Sequence, residues 1–278
     1  MTTATVVVNL DPNLAQLGPV LVTWHGILSV LGVLAGFELG RRLLVRDGLR
    51  DRATDPTPGL ALWDLALGML ILGWIGARAL DVWENYRDFA GRWLNVVWIG
   101  ETGLSRWGGI LGALLAGWIW SRRVGMSFWR LLDAAGPACC LGFAVARAGD
   151  VVSGAHHGIT TTLPWGVQYV NQQTLGAPGR MVQPETTYEM LWGAVILAVL
   201  LPLHGRLRAR LPEGLTGLAY LIPYGAGMVL LAFLRTDPLV LHLRAEQWAG
   251  MLALILAGAA VLVRQRRPSP AGRVGTPR

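Results

Sequence analysis

Seven apolar stretches, each close to the ~20 residues that carry an α-helix across a bilayer, dominate this 278-residue chain. They lie at about 19–39, 60–82, 103–120, 131–149, 187–203, 215–234 and 247–263. Within a bilayer no water is at hand for backbone N–H and C=O groups, so stretches of this kind satisfy them internally, as helices. Composition agrees, with 53% of residues hydrophobic and 15% charged, against roughly 25% charged in soluble domains. The reading is an all-α, polytopic membrane protein with seven transmembrane helices. Residues 1–264 are expected to form a single membrane domain, and 265–278 a basic, disordered cytoplasmic tail. The apolar piece at 93–99 is too short to span and is expected at the interface.

Every basic residue is an arginine. Arg41, Arg42, Arg46, Arg50 and Arg52 follow the first stretch, and Arg122, Arg123 and Arg130 follow the third. Arg206, Arg208 and Arg210 follow the fifth, and Arg264, Arg266, Arg267, Arg273 and Arg278 close the chain. By the positive-inside rule the N-terminus is outside and the C-terminus cytoplasmic. The net charge of +7 thus reflects topology and attraction to anionic headgroups. It does not point to nucleic acid, for which no binding motif is present.

This orientation gathers the unusual polar residues at the outer ends of the stretches. His25 is near the outer end of the first, Arg78 and Asp81 end the second, and Arg106 begins the third. Arg147 and Asp150 end the fourth, Tyr188 and Glu189 begin the fifth, and Arg235 ends the sixth. A charge at a membrane helix centre costs roughly 2.5–3.5 kcal/mol on insertion scales, and such residues are usually paired or functional. The run Ala146-Arg147-Ala148-Gly149-Asp150, followed by Gly154 and Gly158, is the most informative. It sets an arginine, whose planar fork suits phosphate oxygens, among glycines that let backbone or ligand come close.

An extracytoplasmic loop at about 155–183 has the length of a lid or binding arm. His156 and His157, which open it, read as solvated. Cys139 and Cys140 are neighbours on one helix and point in different directions, so a disulfide or metal site is not expected. The sequence has no Walker loop, nucleophile-elbow serine or zinc-ligand pair at helical spacing. No metal or cofactor is implied.

In order along the chain, the motifs resemble those of the prolipoprotein diacylglyceryl transferase family, from residue 22 to about 258. Trp24-His25-Gly26 is similar to the family's Trp-Tyr-Gly, and Gly103-Leu104-Ser105-Arg106-Trp107-Gly108-Gly109 to its Gly-Leu-Ser-Phe-His-Gly-Gly turn. Residues 146–158 stand where the family has Gly-Arg-x-Gly-Asn, then Asn-Gly-Glu and a later glycine. Leu163-Pro164-Trp165, Pro184, Tyr188-Glu189, Tyr224-Gly225, Phe233, Arg235 and Gln247 continue the match in register.

The resemblance implies a bacterial inner-membrane enzyme of lipoprotein maturation. Its partners would be phosphatidylglycerol, a lipobox-containing preprolipoprotein peptide and the bilayer. The diacylglyceryl group would pass to the lipobox cysteine, releasing glycerol phosphate. Arg147, His25 and Asp150 are the expected catalytic residues, and Arg78, Arg235, Gly154, Gly158, Tyr188 and Glu189 the expected substrate-binding ones.

The chain also departs from the family pattern. Trp107 replaces a histidine, Asp150 an asparagine, Ala155 a glutamate, Gln183 a histidine, and Met228 and Ala232 an arginine and a glutamate. Two readings follow. Either the acid–base role has moved to His25, in place of a tyrosine, with Asp150 orienting it or taking the proton; or the chain is a paralogue that binds phospholipid and is inactive or uses another substrate.

Overall fold

A computed structural model of the protein describes residues 6–18, 20–47, 58–89, 91, 96 and 103–265. Residues 266–278 of the expected tail, and all of 93–99 except Val96, lie outside the described residues. In chain order the helices are α1 (Trp24–Arg46), α2 (Pro58–Glu84), α3 (Tyr86–Phe89), α4 (Arg106–Arg123), α5 (Phe128–Ser153), α6 (Glu185–Leu200), α7 (His204–Arg210), α8 (Leu215–Leu231) and α9 (Ala245–Gln265). A helix covers each of the seven apolar stretches. Four are long and apolar enough to cross a membrane: Leu62–Glu84, Phe128–Ser153, Leu215–Leu234 and Ala245–Val263. A fifth span arises if α6 and α7, bent by 63°, count as one. Pro202 lies in the break between them, where its missing N–H can donate no helical bond. The protein is a multi-pass membrane protein.

Side-chain exposure has the inside-out pattern of such a protein. Val33, Leu70, Leu230 and Ile255 are exposed, whereas Asp133, Glu185, His204 and Arg235 are buried. Exposed apolar surface on this scale marks contact with lipid rather than water.

The fold gathers into two units, Arg41–Leu132 and Met1–Gly40 with Asp133–Arg278. In the first, α2 packs along α4. Gly76, Gly108 and Gly112 sit at their crossing, where an added Cβ would run into the other helix's backbone. Membrane helices use small residues in this way to bring backbones into van der Waals contact. In the second unit α8 packs on α6 and α9. There the Asp133 carboxylate accepts bonds from the N–H groups of Gly214 (2.9 Å) and Gly217 (2.8 Å). These donors belong to the start of α8, where the helix itself offers them no acceptor.

The protein is mostly helical, as the sequence suggests, and its connecting segments add a few short strands. β1 (Val6–Val8) pairs parallel with β4 (Val167–Tyr169), and β4 pairs antiparallel with β5 (Met181–Val182). β2 (Asn13–Leu17) with β3 (Val20–Thr23), and β6 (Leu239–Val240) with β7 (Leu243–Arg244), form hairpins. Strands of two or three residues, as β1, β4, β5, β6 and β7 are, are too short to display a period of two in the sequence. Val167, Tyr169 and Val182 give the three-stranded sheet a small core of its own.

Candidate active site

The last turns of α5 carry Arg147 and Asp150, three residues apart and so on one helical face. Arg147 Nη1 donates to Asp150 Oδ2 at 2.7 Å. Gly149 lies between them, and a Cβ there would meet the backbone of His25, with Cα at 2.7 Å. The missing side chain lets the first turn of α1 lie against α5. As a result, His25 Nδ1 is 2.7 Å from Asp150 Oδ1, with the His25 side chain 52% exposed and Asp150 buried. A proton on Nδ1 facing the carboxylate leaves Nε2 as the basic nitrogen.

The far side of Arg147 meets α6. Its Nε is 2.6 Å from Glu189 Oε2, a close ion pair without the alignment of a hydrogen bond. Glu189 Oε1 accepts from Arg235 Nη1 at 3.2 Å, so one carboxylate joins two guanidiniums. Arg235 is sealed at 0% exposure and is further surrounded by Glu185 (3.6 Å), Glu246 (3.7 Å) and Asp237 (2.5 Å). A buried cation needs such partners, since an unpaired one costs several kcal/mol. Arg147 keeps 15% side-chain exposure. Its bonds run through Nη1 and Nε, leaving Nη2 with no protein partner among the described residues.

Beyond Arg235 the network reaches a second histidine. Asp237 Oδ1 lies 3.4 Å from His156 Nδ1. Partial burial opposes the charge on Asp237, but the hydrogen bond from Arg235 and its positive charge, with His156 adding, hold the carboxyl below its ordinary value. His156 is therefore not merely solvated. This pairing is invisible in the sequence, because His156 and Asp237 are far apart along the chain. Glu185 and Glu246 carry little signal in the sequence, each being an acid at the start of an apolar run. The spacing of Glu185 and Glu189, one helical turn apart on α6, is the signal that pairs them.

The remaining expected residues divide by role. Gly154 ends α5 at φ 73°, a conformation that favours glycine, and a Cβ there would meet Thr174 Oγ1 at 2.6 Å. At Gly158 a Cβ would meet Gln183 Cβ at 2.6 Å. Both glycines thus allow close packing of the loop at 155–183. Tyr188 OH donates to Gln183 Oε1 at 3.1 Å and accepts from Trp165 Nε1 at 2.7 Å. Tyr169 donates to Val151 O at 3.0 Å; burial, with the charge of Asp150, pushes its phenol up to about 12, so it stays neutral.

Arg78 belongs to the Arg41–Leu132 unit. Its Nε donates to Val96 O at 2.8 Å, its Nη1 to Asp81 Oδ2 at 2.9 Å and to Gly103 O at 3.1 Å. The guanidinium also stacks 5.0 Å from the Phe89 ring centroid. These contacts brace the chain that follows α2.

Comparison with known proteins agrees with the motif order. The family model described as prolipoprotein diacylglyceryl transferase matches residues 12–264. A phosphatidylglycerol–prolipoprotein diacylglyceryl transferase of Shouchella clausii is 31% identical, over 91% of this chain and 88% of its own length. Those of Geobacillus kaustophilus (32% identical; 93% and 94%) and Bacillus licheniformis (34%; 92% and 93%) are similarly matched. The chain belongs to the prolipoprotein diacylglyceryl transferase family.

Proposed function

We propose that this protein transfers the diacylglyceryl group of phosphatidylglycerol to the cysteine thiol of a lipobox peptide, releasing glycerol phosphate. The observation that carries this reading is Arg147, fixed by Asp150 and Glu189 (2.7 and 2.6 Å) with its Nη2 edge left for a ligand. Two carboxylates set the plane of the guanidinium, so the remaining N–H groups meet phosphate oxygens without first being ordered. The charge that develops on the departing phosphate then falls beside a preorganised cation.

The thiol needs a base, since a free cysteine has a pKa of ~8.5 and only the thiolate attacks well. In this reading His25 is the base: Asp150, 2.7 Å from Nδ1, orients the ring and Nε2 takes the proton. The reaction forms a sulfur–carbon bond and breaks the carbon–oxygen bond to phosphate. The electron pair of that bond leaves on the phosphate oxygen. In this reading seven helices cross the bacterial inner membrane with the N-terminus outside. His25, Arg147 and Glu189 then lie in the outer part of the bundle, where lipid enters sideways and peptide from outside.

The test is direct. Purified protein is incubated with phosphatidylglycerol and a lipobox peptide, and the peptide is examined for the mass gain of a diacylglyceryl thioether. Product supports the proposal. No product beside an active family member overturns it and favours the second reading, a phospholipid-binding paralogue, which the uncharged Met228 and Ala232 also suit.

A further inference from the structure

A cavity that the transfer site does not use opens beside the turn between α4 and α5. The turn is tight: Val124 N donates to Trp120 O at 3.0 Å, Met126 N donates to Ser121 O at 2.8 Å, and Gly125 takes φ 63°. Gly117 lets the start of α5 lie against α4, since a Cβ there would meet Leu131 Cδ2 at 2.9 Å and Phe128 Cε2 at 3.6 Å. The cavity holds about 710 Å³ and is lined by Trp118, Arg122, Met126, Phe128 and Trp129. All of these belong to the Arg41–Leu132 unit.

Arg122 is exposed, and its guanidinium lies 5.4 Å from the centroid of the Trp118 ring. Among the described residues that guanidinium has neither a carboxylate partner nor a hydrogen-bond acceptor. A ring face attracts a cation without using up its N–H donors. The charge around it is of one sign. Residues 104–132 include Arg122, Arg123 and Arg130 at the turn and contain no acid. The next acid, Asp133, accepts bonds from Gly214 and Gly217.

An apolar track leads to this cation. Leu111, Leu114 and Trp118 are exposed and precede Arg122 at steps of three and four, which puts all four on one helical face. Gly108, Gly112 and Ala116, on another face of α4, are buried. From Leu111 to Arg122 the track runs about 16 Å at 1.5 Å per residue.

We propose that this cavity binds the headgroup of an anionic phospholipid of the cytoplasmic leaflet. The phosphate meets Arg122, and an acyl chain lies along Trp118, Leu114 and Leu111. The volume falls in the ~300–1,000 Å³ range of ligand sites, and basic pockets at the cytoplasmic ends of membrane helices suit anionic headgroups. Aromatic walls offer a free phosphate ion nothing, whereas they cover the glycerol and first methylenes of a lipid. Only the choice of leaflet rests on the orientation proposed above, in which α4 runs inward. The choice of ligand rests on the cavity, the charge and the track.

The experiment places the protein in nanodiscs of phosphatidylglycerol and phosphatidylcholine in equal amounts, with Phe128 replaced by the photo-crosslinker p-benzoylphenylalanine. After irradiation the lipid adducts are identified by mass spectrometry. Phosphatidylglycerol adducts should exceed phosphatidylcholine adducts about tenfold, the worth of a hydrogen bond to a charged group. In Arg122→Gln the two should become nearly equal, as they should with the probe at Ile255, which is exposed on α9. The same probe at Met126 keeps the Phe128 ring in place and should show the same preference. Equal yields at both cavity positions with Arg122 intact, or a preference that survives Arg122→Gln, overturns the proposal. Loss of the lipid adducts on adding sn-glycerol phosphate also overturns it, because a soluble phosphate would then be the occupant. No readout here requires turnover, so a failure of diacylglyceryl transfer and a failure of this site are separate results.

Discussion

Oε2 of Glu189 lies 2.6 Å from Nε of Arg147. Because the same carboxylate also receives Arg235 Nη1 at 3.2 Å, Glu189 fixes the guanidinium expected to meet lipid phosphate and neutralises one sealed away from solvent. Its buried position makes it costly to lose. Glu189→Gln should destabilise the protein by about 3 kcal/mol, the lower end for breaking a buried ion pair. Unfolding of the detergent-solubilised protein measures this, and a loss below about 1 kcal/mol would contradict the bridging role.

The contact between α1 and α5 gives a second prediction. Gly149→Ala puts a methyl group where His25 Cα would stand 2.7 Å away, so the first turn of α1 must move. Overpacking of this kind costs about 1–3 kcal/mol. The His25–Asp150 pair should separate, and activity should fall more steeply than stability. Gly258→Ala is the control, because a Cβ there meets nothing within 4 Å. Equal effects of the two substitutions on transfer would remove the argument for close approach.

His25 tests the relocated base. Because its ring stands 2.7 Å from Asp150, His25→Phe should lower kcat about 10²–10⁴-fold, the usual range for a general base, with little change in substrate affinity. Wild-type turnover by His25→Phe would show that the thiol loses its proton elsewhere.

Much of this site was legible in the sequence, and the part that was not has a physical explanation. Arg147 and Asp150 stand three apart in a helical run, so their shared face follows from helix geometry. The seven apolar stretches likewise foretold where helices form. The bridge from Glu189 to Arg235 could not be read, because it joins α6 to the segment after α8 and depends on how the helices pack. The same is true of Asp237 with His156. Arg78 shows another difficulty: its Nε and Nη1 bond to the backbone carbonyls of Val96 and Gly103, which no spacing in the sequence reveals.

Asp237 gives a prediction about pH. Its folded-state carboxyl is held below the ordinary value of 3.8. It therefore contributes stability that is full above the unfolded value and is lost as pH falls through the folded one. The difference in unfolding temperature between wild type and Asp237→Asn should thus be constant near neutrality and shrink below about pH 4. A difference that persists unchanged at lower pH would mean that the ion pair with Arg235 does not stabilise the fold.

The central claim is that Arg147 grips the phosphate of the lipid headgroup, and lipid binding tests it without requiring turnover. Affinity for phosphatidylglycerol, measured by native mass spectrometry of the delipidated protein, should fall about 10- to 10²-fold in Arg147→Ala, the worth of a hydrogen bond to a charged group. Affinity for diacylglycerol, which has no phosphate, should be unchanged. Equal phosphatidylglycerol binding by wild type and Arg147→Ala would contradict the account.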